Sequence, residues 1–206
     1  MPAFVAAAIA LAYFALGLGA REFTLLESQD LGVAHDLFRS FRLSVDHSPL
    51  HFAFLNLWLR VGGGSIALVR LPSALFVAAA TAVVHRLADR VAGVAAAAGA
   101  ALVFATNPEV VDQARSLRLY GLGILLCALC LERAHAFLRE DGRERALFGF
   151  LASALLAVHT HLFLWLWVAP LVALVGYRAF SERRRAGPRT FVVWIVAGAL
   201  ALPQVV

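Results

Sequence analysis

Apolar segments recur along this chain, and each is close to the length that crosses a lipid bilayer. A helix of about 20 apolar residues spans the ~30 Å hydrocarbon core. Segments of this kind occupy residues 2–20, 66–87, 91–106, 119–138 and 190–206. Hydrophobic residues make up 62% of the chain and charged residues 15%, against about 25% charged residues in soluble domains. The pattern excludes a soluble domain, a disordered chain and a nucleic-acid-binding module, and it predicts an integral membrane protein.

One further apolar stretch, residues 147–180, is too long for a single span, because one helix of that length would run about 50 Å. We expect a hairpin that turns near His159 and His161. Eleven arginines then fall in three loops on one side, which the positive-inside rule assigns to the cytoplasm. The expected fold is an all-α polytopic bundle of about seven spans. It forms a single membrane domain over residues 1–206, with the N-terminus inside.

The first outer loop, residues 21–65, is too charged to span and is predicted to form amphipathic helices on the membrane surface. Its apolar residues recur at helical spacing at Leu31, Ala34, Leu37, Phe38 and Phe41. A second apolar stretch, residues 52–59, carries Trp58 as an interfacial anchor.

Two acids in this loop, Glu27 and Asp30, are three residues apart and share a face if the segment is helical. A carboxylate beside an apolar cavity is a candidate general base. The alternative is a solvated helix start, where acids complement the helix dipole.

Two arginines, Arg115 and Arg118, lie in an outer loop, against the positive-inside bias. Spaced three residues apart, they are expected to share a helix face at the outer end of a span. Guanidinium groups at headgroup level suit a bound phosphate. The alternative is a pair of snorkelling arginines balanced by Glu109 and Asp112.

Three histidines are further candidates. His47 stands at a Pro-stiffened turn that could aim its imidazole at a phosphate or a metal, although a plain helix-start turn is equally compatible with the sequence. His159 and His161 could hold a metal with a third ligand, or one of them could line a polar cavity. The two cysteines, Cys127 and Cys130, are interpreted as apolar filler within a span.

Several short motifs follow one another in a fixed order. They are the acidic cluster after the first span, a His-x-Pro-Leu turn at His47, Arg-Leu-Pro-Ser at Arg70, Arg-x-Tyr at Arg118 and Thr-His at Thr160. This order resembles the polyprenyl-phosphate-dependent membrane glycosyltransferases of the GT-C class. That class includes protein O-mannosyltransferases, aminoarabinose transferases and bacterial lipopolysaccharide-core transferases. The resemblance covers residues 27–180.

The resemblance implies an inverting sugar transfer at the outer face of a bacterial plasma membrane. The donor would be a sugar on a polyprenyl phosphate whose lipid tail lies between spans, and the acceptor a lipid, glycan or protein. Glu27 or Asp30 would be the general base on the acceptor hydroxyl. The donor phosphate would be held by His47, Arg118, Arg115 and Tyr120. No cofactor is firmly implied, and a divalent metal is compatible with the site.

The chain departs from the family pattern in several places. Family members often carry an adjacent Asp-Glu pair, whereas two residues separate Glu27 from Asp30. Ser116 stands where an acid often precedes the arginine of Arg-x-Tyr, so the acidic partner of Arg118 is expected to be Glu109 or Asp112. Full members continue through further spans, so the chain is expected to be the N-terminal catalytic half, with a C-terminal part missing.

Two other functions stay open: a transporter or flippase-like protein, and an inactive truncated membrane scaffold. Transporters usually place polar groups near the midplane and have repeated halves. Here the ionisable residues lie at span ends and no repeat is detected. These features favour the transferase over the transporter.

Overall fold

A computed structural model describes residues 1–20, 22–35, 49–62, 65–118, 120–139, 144–161 and 163–181. Those residues form helices and no strands, which confirms the all-α prediction. The helices are α1 (Ala3–Ala15), α2 (Leu25–His35), α3 (Pro49–Gly62), α4 (Ile66–Thr106), α5 (Pro108–Ala114), α6 (Tyr120–Arg139), α7 (Glu144–Thr160) and α8 (Leu164–Ser181). The chain divides into two compact units, residues 1–125 and 126–206, with the boundary inside α6.

Helix α4 is a hairpin of two helical arms. Gly93 leaves the helical region, with φ 82° and ψ 177°. Ala105 belongs to the same buried cluster as Val77 and Ala78, although a straight helix would carry it roughly 40 Å away. The backbone therefore reverses at Gly93, where glycine adopts a positive φ at no steric cost. The predicted spans 66–87 and 91–106 are the two arms of this hairpin.

Helix α1 packs on α4 mainly through small side chains. The buried cluster consists of Ala10, Phe14, Leu18, Ala74, Val77, Ala78, Ala105 and Ala114. Alanines let helices approach closely, as in membrane helix pairs. The sequence predicted a first span over residues 2–20, but α1 ends at Ala15 and residues 16–19 form a turn. The carbonyls of Tyr13 and Phe14, which lack helical partners at this end, accept hydrogen bonds from Arg115.

Helices α2 and α3 pack together near the start of α4. Their shared buried cluster consists of Ala34, Phe52, Leu55, Val69 and Leu117, with Phe23, Leu31 and Leu59 packed against it. Asn56 Nδ2 donates to the carbonyl of Ala34 at 2.6 Å and ties the two helices. Of the amphipathic residues predicted in the first outer loop, Leu37, Phe38 and Phe41 lie outside the described residues.

The start of α4 depends on Trp58. Pro72 lies inside this helix and has no N–H, so the carbonyl of Leu68, four residues earlier, loses its helical donor. The indole Nε1 of Trp58 donates to that carbonyl at 2.9 Å. A residue predicted as an interfacial anchor therefore also completes the hydrogen bonding of a Pro-containing helix.

In the second unit, the long apolar stretch 147–180 lies in two helices, α7 and α8. Helix α7 ends at Thr160 and α8 begins at Leu164, where the turn is predicted from helix length. Both cysteines are free, and the thiol of Cys130 donates to Ser153 Oγ at 3.4 Å.

The membrane character of the helices can be judged by length and composition. Helices α4 and α6 are long and apolar enough to cross a membrane. The shorter apolar helices are α1, the part of α3 from Phe52 to Val61 and the part of α8 from Leu164 to Ala179. Residues 190–206, the predicted last span, lie outside the described residues. The chain is a helical membrane protein, and the count of seven spans stays a prediction.

Candidate active site

The first predicted site residue, Glu27, takes part in the capping of α2. The Thr24 hydroxyl accepts a hydrogen bond from the backbone N–H of Glu27 at 3.2 Å. In return, Glu27 Oε2 accepts from the backbone N–H of Thr24 at 2.9 Å. This is a reciprocal capping box, which satisfies two backbone donors at the helix start. Residues close in sequence therefore hold one oxygen of the Glu27 side chain.

A buried arginine completes the surroundings of Glu27. Arg70, on the first arm of α4, is 0% exposed and Glu27 is 1% exposed. The guanidinium binds the carboxylate with both ends: Nε donates to Oε1 at 3.0 Å and Nη2 to Oε2 at 2.8 Å. It also donates to the carbonyls of Leu18 and Glu22, at 3.1 and 3.0 Å. The Glu27–Arg70 pair therefore joins α2 to α4 and to the turn after α1.

The charge on Glu27 is strongly stabilised. Burial alone would raise the pKa of its carboxyl, but hydrogen bonds from Arg70, Thr24 and Leu117 and the charge of the guanidinium outweigh that cost. The pKa falls from 4.5 to about 2. A carboxylate with so low a pKa, with each oxygen accepting two hydrogen bonds, has little tendency to take up a proton.

The second acid, Asp30, lies one turn further along α2 and reaches a different partner. The backbone N–H of Leu117 donates to Glu27 Oε1 at 2.8 Å, which fixes the segment before α6. The next residue, Arg118, then has its Nε 3.8 Å from Asp30 Oδ2. This is an ion pair longer than a hydrogen bond. Glu27, Asp30 and Arg118 thus come together in the folded chain.

Arg118 also contacts the start of α6. Its guanidinium carbon lies 5.1 Å from the centroid of the Tyr120 ring, a cation–π distance. The cleft on its apolar side, lined by residues of α3 and α4, has a volume of only ≈ 10 Å³. That is about the room that one water needs. A ligand larger than one water does not fit into this cleft.

The helix face expected to carry both Arg115 and Arg118 does not form. Residues 115–118 are non-helical, lying between the end of α5 at Ala114 and the start of α6 at Tyr120. Arg115 turns to the end of α1, where Nη2 donates to the Tyr13 carbonyl at 3.1 Å, whereas Arg118 turns to Asp30. The prediction that Glu109 or Asp112 is the acidic partner of Arg118 was also wrong. Arg118 pairs with Asp30, and Glu109 is exposed on α5.

The structure describes two of the three predicted histidines. His47 lies outside the described residues. His159 lies in the last turn of α7, and His161 follows that helix, where its Nδ1 accepts from the backbone N–H of Phe163 at 3.1 Å. Among the residues that the structure describes, no three His, Cys, Asp or Glu side chains are grouped to hold a metal ion.

Arg70 is the site residue that reasoning from the sequence missed. It was noted only as part of Arg-Leu-Pro-Ser, yet an arginine at the start of an apolar span needs a buried partner. The Thr24-x-x-Glu27 spacing is visible in the sequence as a capping box, a signal that Glu27 takes part in capping α2. The buried arginine and the capping box are both local features of the sequence. The pairing of Arg70 with Glu27, 43 positions apart, is not a local feature and could not be read from it.

Gly121 sets the approach of α6 to α4. A Cβ at this position would lie 3.1 Å from both Cα and O of Ser73, whose hydroxyl contacts the Arg118 carbonyl at 3.5 Å. We expect Gly121→Ala to push α6 away and to lower the free energy of unfolding by about 1–3 kcal/mol. Thermal unfolding in detergent measures this. Gly32→Ala is the control, because its Cβ would meet nothing within 4 Å. Equal or higher stability of Gly121→Ala would contradict the close approach.

Taken together, the fold and the site define a class: a helical membrane protein with an acid–arginine site suited to a phosphorylated ligand. The family model for dolichyl-phosphate-mannose-protein mannosyltransferases matches residues 46–206. The matched range contains Arg70 and Arg118 and begins after Glu27 and Asp30. No curated protein and no solved structure matches the chain. The chain belongs to this mannosyltransferase family, whose members are membrane glycosyltransferases that use a polyprenyl-phosphate-linked sugar.

Proposed function

We propose that this chain transfers a sugar from a polyprenyl phosphate to an acceptor hydroxyl at the outer face of a bacterial plasma membrane. The observation that carries the proposal is the Asp30–Arg118 pair, with Oδ2 and Nε 3.8 Å apart. Sugar transfer needs a base for the acceptor and a cation for the leaving phosphate, side by side. The outward orientation is supported by the arginine-rich loops, which the positive-inside rule assigns to the cytoplasm.

Asp30 is the better candidate for the base. Both oxygens of Glu27 are occupied by Arg70 and by backbone donors, and its pKa is about 2. The carboxylate of Asp30 faces Arg118 at a longer distance, which a bound substrate can shorten or replace. Glu27 is then a positioning residue: its helix carries Asp30, and its bond to Leu117 places the arginine.

The proposed reaction is a displacement with inversion at the anomeric carbon. The acceptor oxygen gives its proton to Asp30 and forms a bond to that carbon. The bond from the anomeric carbon to the phosphate oxygen breaks, and polyprenyl phosphate leaves with the electron pair. Arg118 balances the charge that builds on the phosphate, because a guanidinium bonds phosphate oxygens in a fork.

The other residues assigned to the donor phosphate have unequal support. Tyr120 supports the proposal through its ring, which lies against the guanidinium of Arg118. His47 is retained as a proposal from its motif alone. Arg115 is bound to the end of α1, so we leave it out of the donor site.

The test is a donor assay with the chain in lipid nanodiscs. The probe is polyprenyl-phosphate mannose labelled in the sugar, incubated with a bacterial membrane extract as the source of acceptors. We expect labelled product together with free polyprenyl monophosphate, and no product from a nucleotide sugar. We also expect Arg118→Gln to weaken donor binding at least tenfold, whereas Arg90→Gln, which removes an exposed arginine, leaves it unchanged.

The outcomes separate the competing functions. If the chain neither bound nor cleaved the donor, the proposal would be overturned. Passage of intact donor across the bilayer without cleavage would favour the transporter.

A further inference from the structure

A cavity of the first unit lies at the end of α1, and neither Asp30 nor Arg118 lines it. Its volume is ≈ 520 Å³, within the usual range for a small-molecule site. Its polar lining comes from Tyr13, Thr106, Asp112 and Arg115. Its other lining residues, Leu16, Gly17, Ala20, Pro108 and Val111, have no polar side-chain atom.

The guanidinium of Arg115 is fixed in the cavity wall. Nε donates to the Phe14 carbonyl at 3.3 Å and Nη2 to the Tyr13 carbonyl at 3.1 Å. The guanidinium carbon lies 5.4 Å from the centroid of the Tyr13 ring. These bonds use Nε and Nη2, so the Nη1 amino group can donate to a ligand. The charge is therefore held in place before anything binds.

Gly17 makes room for this arginine. A Cβ at residue 17 would lie 2.9 Å from both Cζ and Nε of Arg115, closer than atoms in contact can approach. Two residues on, a Cβ at Gly19 would meet only the Cβ of Ala67, at 3.7 Å. Alanine at position 17 would displace the guanidinium without changing any charge, and alanine at position 19 would not.

Exposed apolar side chains lie on the segments that line the cavity. Leu16, in its wall, is 84% exposed, and Leu102 and Val103, on the last turns of α4 close to the lining residue Thr106, are 65% and 69% exposed. In a helical membrane protein such exposed apolar side chains contact lipid. The cavity thus has fixed polar groups in its wall and acyl chains beside it, which is the environment of a lipid headgroup.

We propose that this cavity binds the headgroup of a membrane phospholipid that carries both a phosphate and an ammonium group. Arg115 binds the phosphate through its remaining donors. Asp112, on the same wall, faces the ammonium group. Leu16 lies along the first carbons of an acyl chain. This proposal depends on the membrane location of the chain and stands whether or not the proposed transferase function is correct.

The test is lipid binding to the purified chain, read by native mass spectrometry in a mild detergent. The probes are phosphatidylethanolamine, phosphatidylglycerol and a neutral glycolipid. We expect phosphatidylethanolamine to bind at least threefold more tightly than the other two. We expect Gly17→Ala to weaken its binding about tenfold or more and Gly19→Ala to leave it unchanged.

A second pair of variants tests the ammonium contact. Asp112→Asn is expected to abolish the preference for phosphatidylethanolamine over phosphatidylglycerol, while Glu109→Gln, an exposed acid on the same short helix, keeps it. Equal binding of both phospholipids to the native chain would overturn the proposal. Tighter binding of the neutral glycolipid would also overturn it and would identify a glycan site.

Discussion

Replacing Glu27 with glutamine is expected to be the most destabilising single substitution of a polar residue in the described part of the chain. The amide keeps the shape of the side chain but removes its charge, and it turns one acceptor towards Arg70 into a donor. Arg70, at 0% exposure, would then be a buried charge that has lost the anion paired with it. Breaking a buried ion pair in this way costs about 3–5 kcal/mol. We expect a large fall in the melting temperature and in the yield of monodisperse protein.

A matched variant separates this effect from a change in net charge. Glu22→Gln makes the same substitution at an exposed side chain whose residue contacts Arg70 only through its backbone carbonyl. It should melt close to the native chain. If Glu22→Gln and Glu27→Gln melted alike, the buried pair would not be the cause. The double variant Glu27→Gln/Arg70→Met should lose less stability than the sum of the two single variants, because both charges are gone.

The same pair predicts a dependence on pH. The pKa of Glu27 is lower in the folded chain, at about 2, than its ordinary value of 4.5. The unfolded chain therefore binds more protons between these values, and stability rises with pH there. The contribution of Glu27 is complete above pH 4.5 and is lost as the pH falls from 4.5 to about 2. The melting curve of Glu27→Gln should lack this component, so the difference between the two proteins should shrink on acidification.

The spans could be predicted from sequence because they depend on local properties. Segment length against bilayer thickness separated 66–87 from 91–106, and the structure adds that Gly93 carries the reversal. The same length argument located the break near His161. The length of α1 was overestimated, since an apolar run does not reveal where a distant side chain caps the helix, as Arg115 does.

The site could be predicted only in part. The acids and arginines were recognised by residue type and position, but their pairing depends on contacts between residues far apart in the chain. Spacing alone placed Arg115 and Arg118 on one helical face, and the non-helical backbone between them sends each to a different partner. Glu27 and Asp30 were both candidates for the base from sequence. The bonds of Glu27 with Arg70, Thr24 and Leu117 distinguish it from Asp30.

That distinction leads to the largest expected effect on catalysis. Asp30→Asn should reduce the rate of sugar transfer about 10²–10⁴-fold, the usual contribution of a general base. The amide is nearly isosteric with the carboxylate, and its partner Arg118 is part-exposed, so water can solvate the guanidinium. The melting temperature should therefore change far less than in Glu27→Gln. The measurement is the initial rate of polyprenyl phosphate release at saturating donor, with donor binding followed separately.

Substitutions of the two acids are thus expected to have different effects, and this difference shows which acid is the base. A base affects the rate and leaves the fold intact, whereas a positioning residue affects both, because Arg118 moves when Glu27 no longer holds Leu117. Asp30→Glu, which keeps a carboxylate but shifts it, should recover part of the rate and the pH profile of a carboxyl base. If Asp30→Asn kept more than a tenth of the native rate, Asp30 would not be the base.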